Sequence, residues 1–288
     1  MSGASPAAIR AHYDAGEAFF ALFLDASLSY SCALYDDPQL SLDGAQRAKL
    51  DWHLDAAGVQ RGTRLLDIGC GWGALMERAV WERGAGRAVG LTLSAAQAAH
   101  VAAAGWPRTA VRVESWREHC PPDRYDAIVS IGAFEHFAAP GLDRTARLEA
   151  YRDFFVVCAS WLPTGGRLSL QTIAYPAHFD RAGYDASDYG AFVRARIFPQ
   201  SDLPELSEIL AAAEPVFEPL VVRNDRRHYA LTARLWLERL RARRSEAVAL
   251  VGETRVADLE RYFRVSIGAF ELGNLQLLRL AFRKRRAP

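Results

Sequence analysis

Apolar residues recur at helical spacing over residues 8–24 and again over 43–58, so the chain should begin with short helices. Asp43 is placed to cap the second of these, and Gly58 stands where a left-handed residue closes a helix. The period then changes. Thr63-Arg64-Leu65-Leu66-Asp67-Ile68-Gly69 is a short apolar strand that runs into a glycine-rich turn. The pattern predicts further strands over 87–91, 110–114, 125–131 and 167–173. Helices are expected over 74–83, 94–104 and 147–161. Such alternation implies an α/β fold with a parallel sheet, helices on both faces, and ligands at the carboxyl ends of the strands. Residues 175–204, rich in Pro, Gly, Asp and aromatic side chains, read as an inserted flap. The chain should be helical again from Ala230, break near Gly252, and end in a last element at 260–280. The expected division is an N-terminal helical cap (1–58), a sheet core (59–174), a substrate-covering flap (175–205), and a C-terminal part completing the sheet (206–288).

Composition adds exclusions. Half of the 288 residues are hydrophobic and 24% are charged, as in soluble globular proteins. Apolar runs stay short of the ~18 residues of a membrane span. Residues 1–6 lack the basic and apolar regions of a secretory signal. Cys32, Cys70, Cys120 and Cys158 have no paired spacing, which argues against zinc and disulfides and suits a cytoplasmic protein. The net charge of +1 is uneven, because the segment from Val221 onward holds 16 basic and 7 acidic residues, or +9, leaving −8 for the rest. A basic tail could meet phospholipid headgroups at a membrane periphery or an acidic acyl carrier protein. Its arginines are not interleaved with aromatics as in a nucleic-acid module, so no nucleic-acid partner is expected. Oligomeric state is not legible.

The sharpest chemical signal is Asp67-Ile68-Gly69-Cys70-Gly71-Trp72-Gly73. Gly69, Gly71 and Gly73 let the backbone turn tightly against a ligand at a helix N-terminus. Their spacing is not that of dinucleotide binders. Asp67 suits an ammonium group better than a pyrophosphate, and together these features favour S-adenosylmethionine. The second strand ends without an acid, leaving Thr92 and Gln97 as neutral partners for ribose, and Trp116 is placed to stack on adenine.

Several segments in one order resemble a known family: His12-Tyr13-Asp14, Tyr30-Ser31-Cys32-Ala33, the 67–73 turn, Gly90-Leu91-Thr92-Leu93-Ser94, the run from Ser130 through Ile131 to Phe134-Glu135-His136-Phe137, and His228-Tyr229-Ala230. They look like the cyclopropane fatty acid and mycolic acid cyclopropane synthases, which are S-adenosylmethionine-dependent methyltransferases. The resemblance implies a Rossmann-like class I methyltransferase sheet with N-terminal helices and an inserted helical flap. It implies cofactor contacts from Tyr30, Ser31 and Ile131, and a bicarbonate general base held by the Cys32 backbone, the Glu135 carboxylate and the Tyr229 hydroxyl. The family's remaining bicarbonate contact is a histidine, and the matching position is Gln171, which can donate a hydrogen bond but cannot carry a positive charge.

Methyl transfer to an alkene leaves a carbocation, which aromatic faces stabilise. Candidates are Tyr13, Phe19, Phe20, Phe134, Phe137, Tyr175 and Tyr229. The expected substrate is an unsaturated acyl chain, lipid-bound or carrier-bound. Gln171 and the polar flap residues Asp180, Arg181, Asp185 and Asp188 keep open a small metabolite methylated on carbon or nitrogen, with Glu135 and His136 as proton acceptors.

Overall fold

The computed structural model describes residues 16–286. The His12-Tyr13-Asp14 segment, and with it Tyr13 and residues 8–15 of the first expected helical stretch, lies outside the described residues. Strands β1 (Arg64–Ile68), β2 (Arg87–Thr92), β3 (Thr109–Val113), β4 (Ala127–Ile131), β5 (Arg167–Ala174), β6 (Phe217–Asn224) and β7 (Gln276–Lys284) form one sheet. Its order is 3-2-1-4-5-7-6, and β7 alone runs antiparallel, between β5 and β6. Strand order reverses between β1 and β4, which opens a crevice at their carboxyl ends.

Helix α1 (Glu17–Phe20) leads to α2 (Leu42–Ala56). Ser41, not Asp43, caps α2, its Oγ accepting from Gly44 N at 3.1 Å. Asp43 instead ties distant segments together, accepting from Ala26 N at 3.0 Å and from Arg239 at 3.4 Å. Gly58 does adopt the left-handed conformation, φ +72°, just past the end of α2. Helices α3 (Ala74–Trp81) and α4 (Ala95–Ala104) join α2 on one face of the sheet, around Leu54, Met76 and Val101. On the other face α5 (Arg144–Trp161) buries Phe154 and Phe155 against Phe217 and Phe282.

The flap folds as α6 (Arg181–Ala186) and α7 (Asp188–Phe192) followed by a wider helical turn at Val193–Ile197. Its two ends meet where Tyr175 N donates to Pro204 O at 2.9 Å. Arg181 pins it by an ion pair to Asp202 at 2.9 Å and by lying over the Tyr175 ring. After α8 (Leu206–Ala213) come α9 (Arg226–Ala242), α10 (Arg244–Val251) and α11 (Glu253–Leu272). The expected last element at 260–280 is two elements. Gly273, φ +85°, ends α11 in the left-handed conformation, and the mostly buried stretch beyond it pairs as β7. Phe19, Phe20 and Phe23 pack against Trp236 and Phe263, so the N-terminal segment and helices α9 and α11 share one core. No helix among the described residues is long and apolar enough to cross a membrane.

Candidate active site

The turn from β1 into α3 is built by backbone conformations that side chains resist. Gly69 has φ +82°, and a Cβ there would stand 2.6 Å from Ala133 Cβ. Its N–H and that of Cys70 both donate to Leu91 O at 2.9 Å, which fixes the turn on β2. The turn floors a cavity of about 220 Å³ lined by Asp67, Gly69, Gly71, Thr92, Gln97, Trp116 and Ile131, and also by Tyr30 and Ser31. Gly73, expected beside them, does not line it. Gly73 instead caps α3 at φ +87°, where a Cβ would meet Trp106 at 2.7 Å.

Burial pushes the Asp67 carboxyl up to about 7, opposed by the charge of Lys49. Thr92 Oγ1 donates to Gln97 Oε1 at 2.7 Å, so the Gln97 amide nitrogen is the end left for a ligand. Trp116 packs edge-on against Phe154, with the Arg117 guanidinium 4.2 Å over its ring. Lys49 and Glu114 are among the polar residues of this cavity that lie outside the family motifs. Lys49 Nζ donates to Ser31 Oγ at 3.0 Å, and burial brings its ammonium down to about 8. Glu114, just past β3, accepts or shares a proton with His119 at 2.6 Å. The chain does carry an acid here, one strand later than the expected position.

A second cavity, of about 540 Å³, adjoins the first and shares Tyr30, Ser31, Gly132 and His136 with it. Glu135, Gln171 and Tyr229 line it together. Glu135 sits in one helical turn after β4, and its Oε1 accepts from Ile173 N at 2.7 Å. Its Oε2 is buried with no partner. Burial raises this carboxyl to about 7, although the Ile173 N–H opposes the shift. His136 shares a proton with Ser201 Oγ through Nδ1 at 2.8 Å, and burial lowers its imidazole to about 4, so it is neutral at pH 7. Tyr229 stacks on Phe270 at 4.5 Å.

Cys32 is brought near but lines neither cavity. It is fully buried, its thiol pushed up to about 11 by burial, and its carbonyl accepts from Arg279 at 3.1 Å. Of the aromatic candidates, Phe137 reaches the first cavity and Tyr175 and Tyr229 the second. Phe19, Phe20 and Phe134 are core residues, Phe134 stacked on Tyr151 at 4.6 Å. The second cavity takes its remaining rings from residues outside the motifs, among them Tyr184, Tyr189, Tyr262, Trp236 and Phe270. Arg181 and Asp185 of the flap line it, whereas Asp180 caps α6.

Residues 3–280 match the family model described as mycolic acid cyclopropane synthetase. The chain is 36% identical over 276 residues to cyclopropane mycolic acid synthase 3 of Mycobacterium tuberculosis, covering 92% of this chain and 91% of that protein. It is also 36% identical over 271 residues to the hydroxymycolate synthase MmaA4 of the same organism, covering 89% and 85%. The crystal structure of the mycolic acid cyclopropane synthase CmaA1 complexed with SAH and CTAB superposes with a TM-score of 0.87. That match has 33% identity and covers 98% of this chain and 99% of that one. With the glycine turn, the paired cavities and the buried glutamate in place, this chain belongs to the mycolic acid cyclopropane synthetase family and is an S-adenosylmethionine-dependent methyltransferase.

Proposed function

We propose that the chain transfers a methyl or methylene carbon to an unsaturated carbon of an acyl-type substrate, with Glu135 handling the proton that leaves. The observation that carries this reading is the buried, unpartnered Oε2 of Glu135, a residue lining the cavity that adjoins the one floored by the glycine turn. An acceptor left without a partner in a buried place carries a desolvation cost, and a catalytic role is one reason for a fold to keep it.

Gly71 fits the cofactor, because a Cβ there would meet nothing of the protein and would project into open space beside the turn. Asp67 would hold the ammonium of S-adenosylmethionine, Gln97 a ribose hydroxyl, and Trp116 the adenine. The bound cofactor supplies an electrophilic methyl carbon. The chain's own contribution is then to hold the alkene in line with it, an orientation worth roughly 7–11 kcal/mol. As positive charge develops on the substrate, the rings of Tyr229, Tyr262 and Trp236 face it, each worth about 0.5–2 kcal/mol. Glu135 Oε2 then accepts a proton, from the transferred carbon if a ring closes or from a neighbouring carbon if a methylated alkene results. Gln171, Tyr229 and protonated Glu135 also suit a bicarbonate ion, which would supply an external base at the same place.

A second reading is a C- or N-methyltransferase of a small metabolite. It is favoured by Gln171 in place of the family histidine and by Arg181, Asp185, Arg194 and Asp202 among the cavity residues. The two readings separate on incubation with cofactor and three probes: monounsaturated phospholipid vesicles, unsaturated acyl carrier protein, and a panel of small amines. Gain of one CH2 unit on the lipid or carrier supports the first. Methylation of an amine alone supports the second.

A further inference from the structure

Gln171 lies on β5 with its side chain between two buried residues from distant parts of the chain. Arg279, on β7 and fully buried, donates from Nε to Gln171 Oε1 at 2.9 Å. A guanidinium can only donate, so the atom facing it must be the amide oxygen. His53 of α2 places Nε2 3.3 Å from the same oxygen, and its Nδ1 lies 2.8 Å from Ser169 Oγ. An oxygen that only accepts requires the proton on Nε2, which leaves Nδ1 to accept from the Ser169 hydroxyl. Burial, then the charges of Arg279 and Lys49, keep the imidazole neutral, so this tautomer holds at physiological pH. Arg279 is fixed in turn by Asp225 and by the carbonyls of Cys32 and Ala33.

We infer that His53 and Arg279 are positioning residues for methyl transfer: they turn the Gln171 carbonyl away from the cavity and present its amide N–H groups beside Glu135 and Tyr229. Two consequences follow from the chemistry. The cavity wall at this point recognises a hydrogen-bond acceptor, a substrate oxygen or an oxyanion. The amide oxygen, the most nucleophilic atom of a glutamine side chain, is withheld from the region where the substrate becomes cationic. The inference rests on the methyl-transfer reading for its role, but the orientation itself does not.

Two measurements keep these apart. In ¹⁵N spectra of the full chain with S-adenosylhomocysteine bound, His53 should show the neutral Nε2–H tautomer at pH 7. The Gln171 amide resonances should move when His53 is replaced by Leu. A Nδ1–H tautomer, or Gln171 resonances unchanged in His53→Leu, overturns the network whether or not turnover is seen. In methyl transfer to monounsaturated phospholipid vesicles, His53→Leu should lower kcat about tenfold, the scale of one lost hydrogen bond, with the cofactor KM unchanged. His53→Gln, which still donates, should recover most of that loss, a rescue that repaired packing alone does not provide. In a Gln171→Leu background, His53→Leu should cost nothing further. Additive losses, or wild-type kcat in His53→Leu, would show that His53 does not act through Gln171. Absence of methyl transfer by the wild-type chain would instead count against the functional reading.

Discussion

At Glu135 the two carboxylate oxygens have different fates, one held by the Ile173 amide and the other buried without a partner. Replacing Glu135 by Gln keeps the shape and the Ile173 contact but removes the proton acceptor. Turnover should fall by about 10²–10⁴-fold while binding of S-adenosylmethionine, measured by calorimetry, stays within a few-fold of wild type. The same substitution has a stability consequence of definite sign. In the fold this carboxyl sits near 7, above its ordinary value, so the native state prefers the protonated form. The stability it contributes is complete below the unfolded carboxylate range and is lost as pH rises through about 7. Glu135→Gln should therefore gain thermal stability over wild type between about pH 5 and 8, by an amount of the order of 2 kcal/mol. A constant difference across that range would mean that Glu135 is not buried as described. Asp67 is raised to the same region, so only the difference between the two proteins isolates Glu135. Glu135, Gln171 and Tyr229 stood out in the sequence because each lies within or beside a recognisable segment. Lys49, His53 and Arg279 did not. Their burial is created by α2, β5 and β7 meeting across more than a hundred residues of chain, and nothing local marks it. Lys49 did leave a trace, being one of only two lysines in the chain.

The glycine turn between β1 and α3 was readable as an element because its residue types are dictated by backbone angles. Gly69→Ala places a methyl against Ala133 and forces a side chain to φ +82°, so both turn and cofactor cavity must distort. A loss of more than tenfold in cofactor affinity and a lower melting temperature are expected. Near-normal binding by this variant would mean that the turn does not shape the site. Strands β1 to β5 were legible because each is a short apolar run bounded by helical pattern. The far edge of the sheet was not. β6 exposes Leu220, Val221 and Val222, and β7 follows a long helix after only a glycine-centred break, so neither interrupts the helical pattern strongly. The reading of Asp43 as a cap failed for a related reason. A local rule gives that role to any acidic residue at a helix start, whereas here Arg239 and the Ala26 amide compete for it.

Across the whole molecule the near-zero charge conceals a body of −8 and a C-terminal segment of +9. The structure spends part of that contrast internally. Arg223 pairs with Asp36, Arg239 with Asp43 and Arg283 with Glu218, each joining the C-terminal segment to the acidic body. Exposed pairs of this kind contribute about 0–1 kcal/mol each, so their effect is more to fix how the segment seats than to stabilise the fold. The N-terminal segment carrying Tyr30 and Ser31 is clamped on the same side, between α2, α9 and β7, through Gln46, Thr232 and Arg279. The two cavities therefore meet where the most distant parts of the chain come together. The account turns on carbon transfer between those cavities, and S-adenosylmethionine with a deuterated methyl group tests it most directly. After incubation with monounsaturated phospholipid vesicles, mass spectrometry should find the label on an acyl carbon, with one deuteron lost if a ring closes and all retained if a methylated alkene forms. The Glu135→Gln protein should label the lipid at least about a hundredfold more slowly. Lipid that stays unlabelled with the wild-type chain, while label appears on the nitrogen of a small amine, would contradict it.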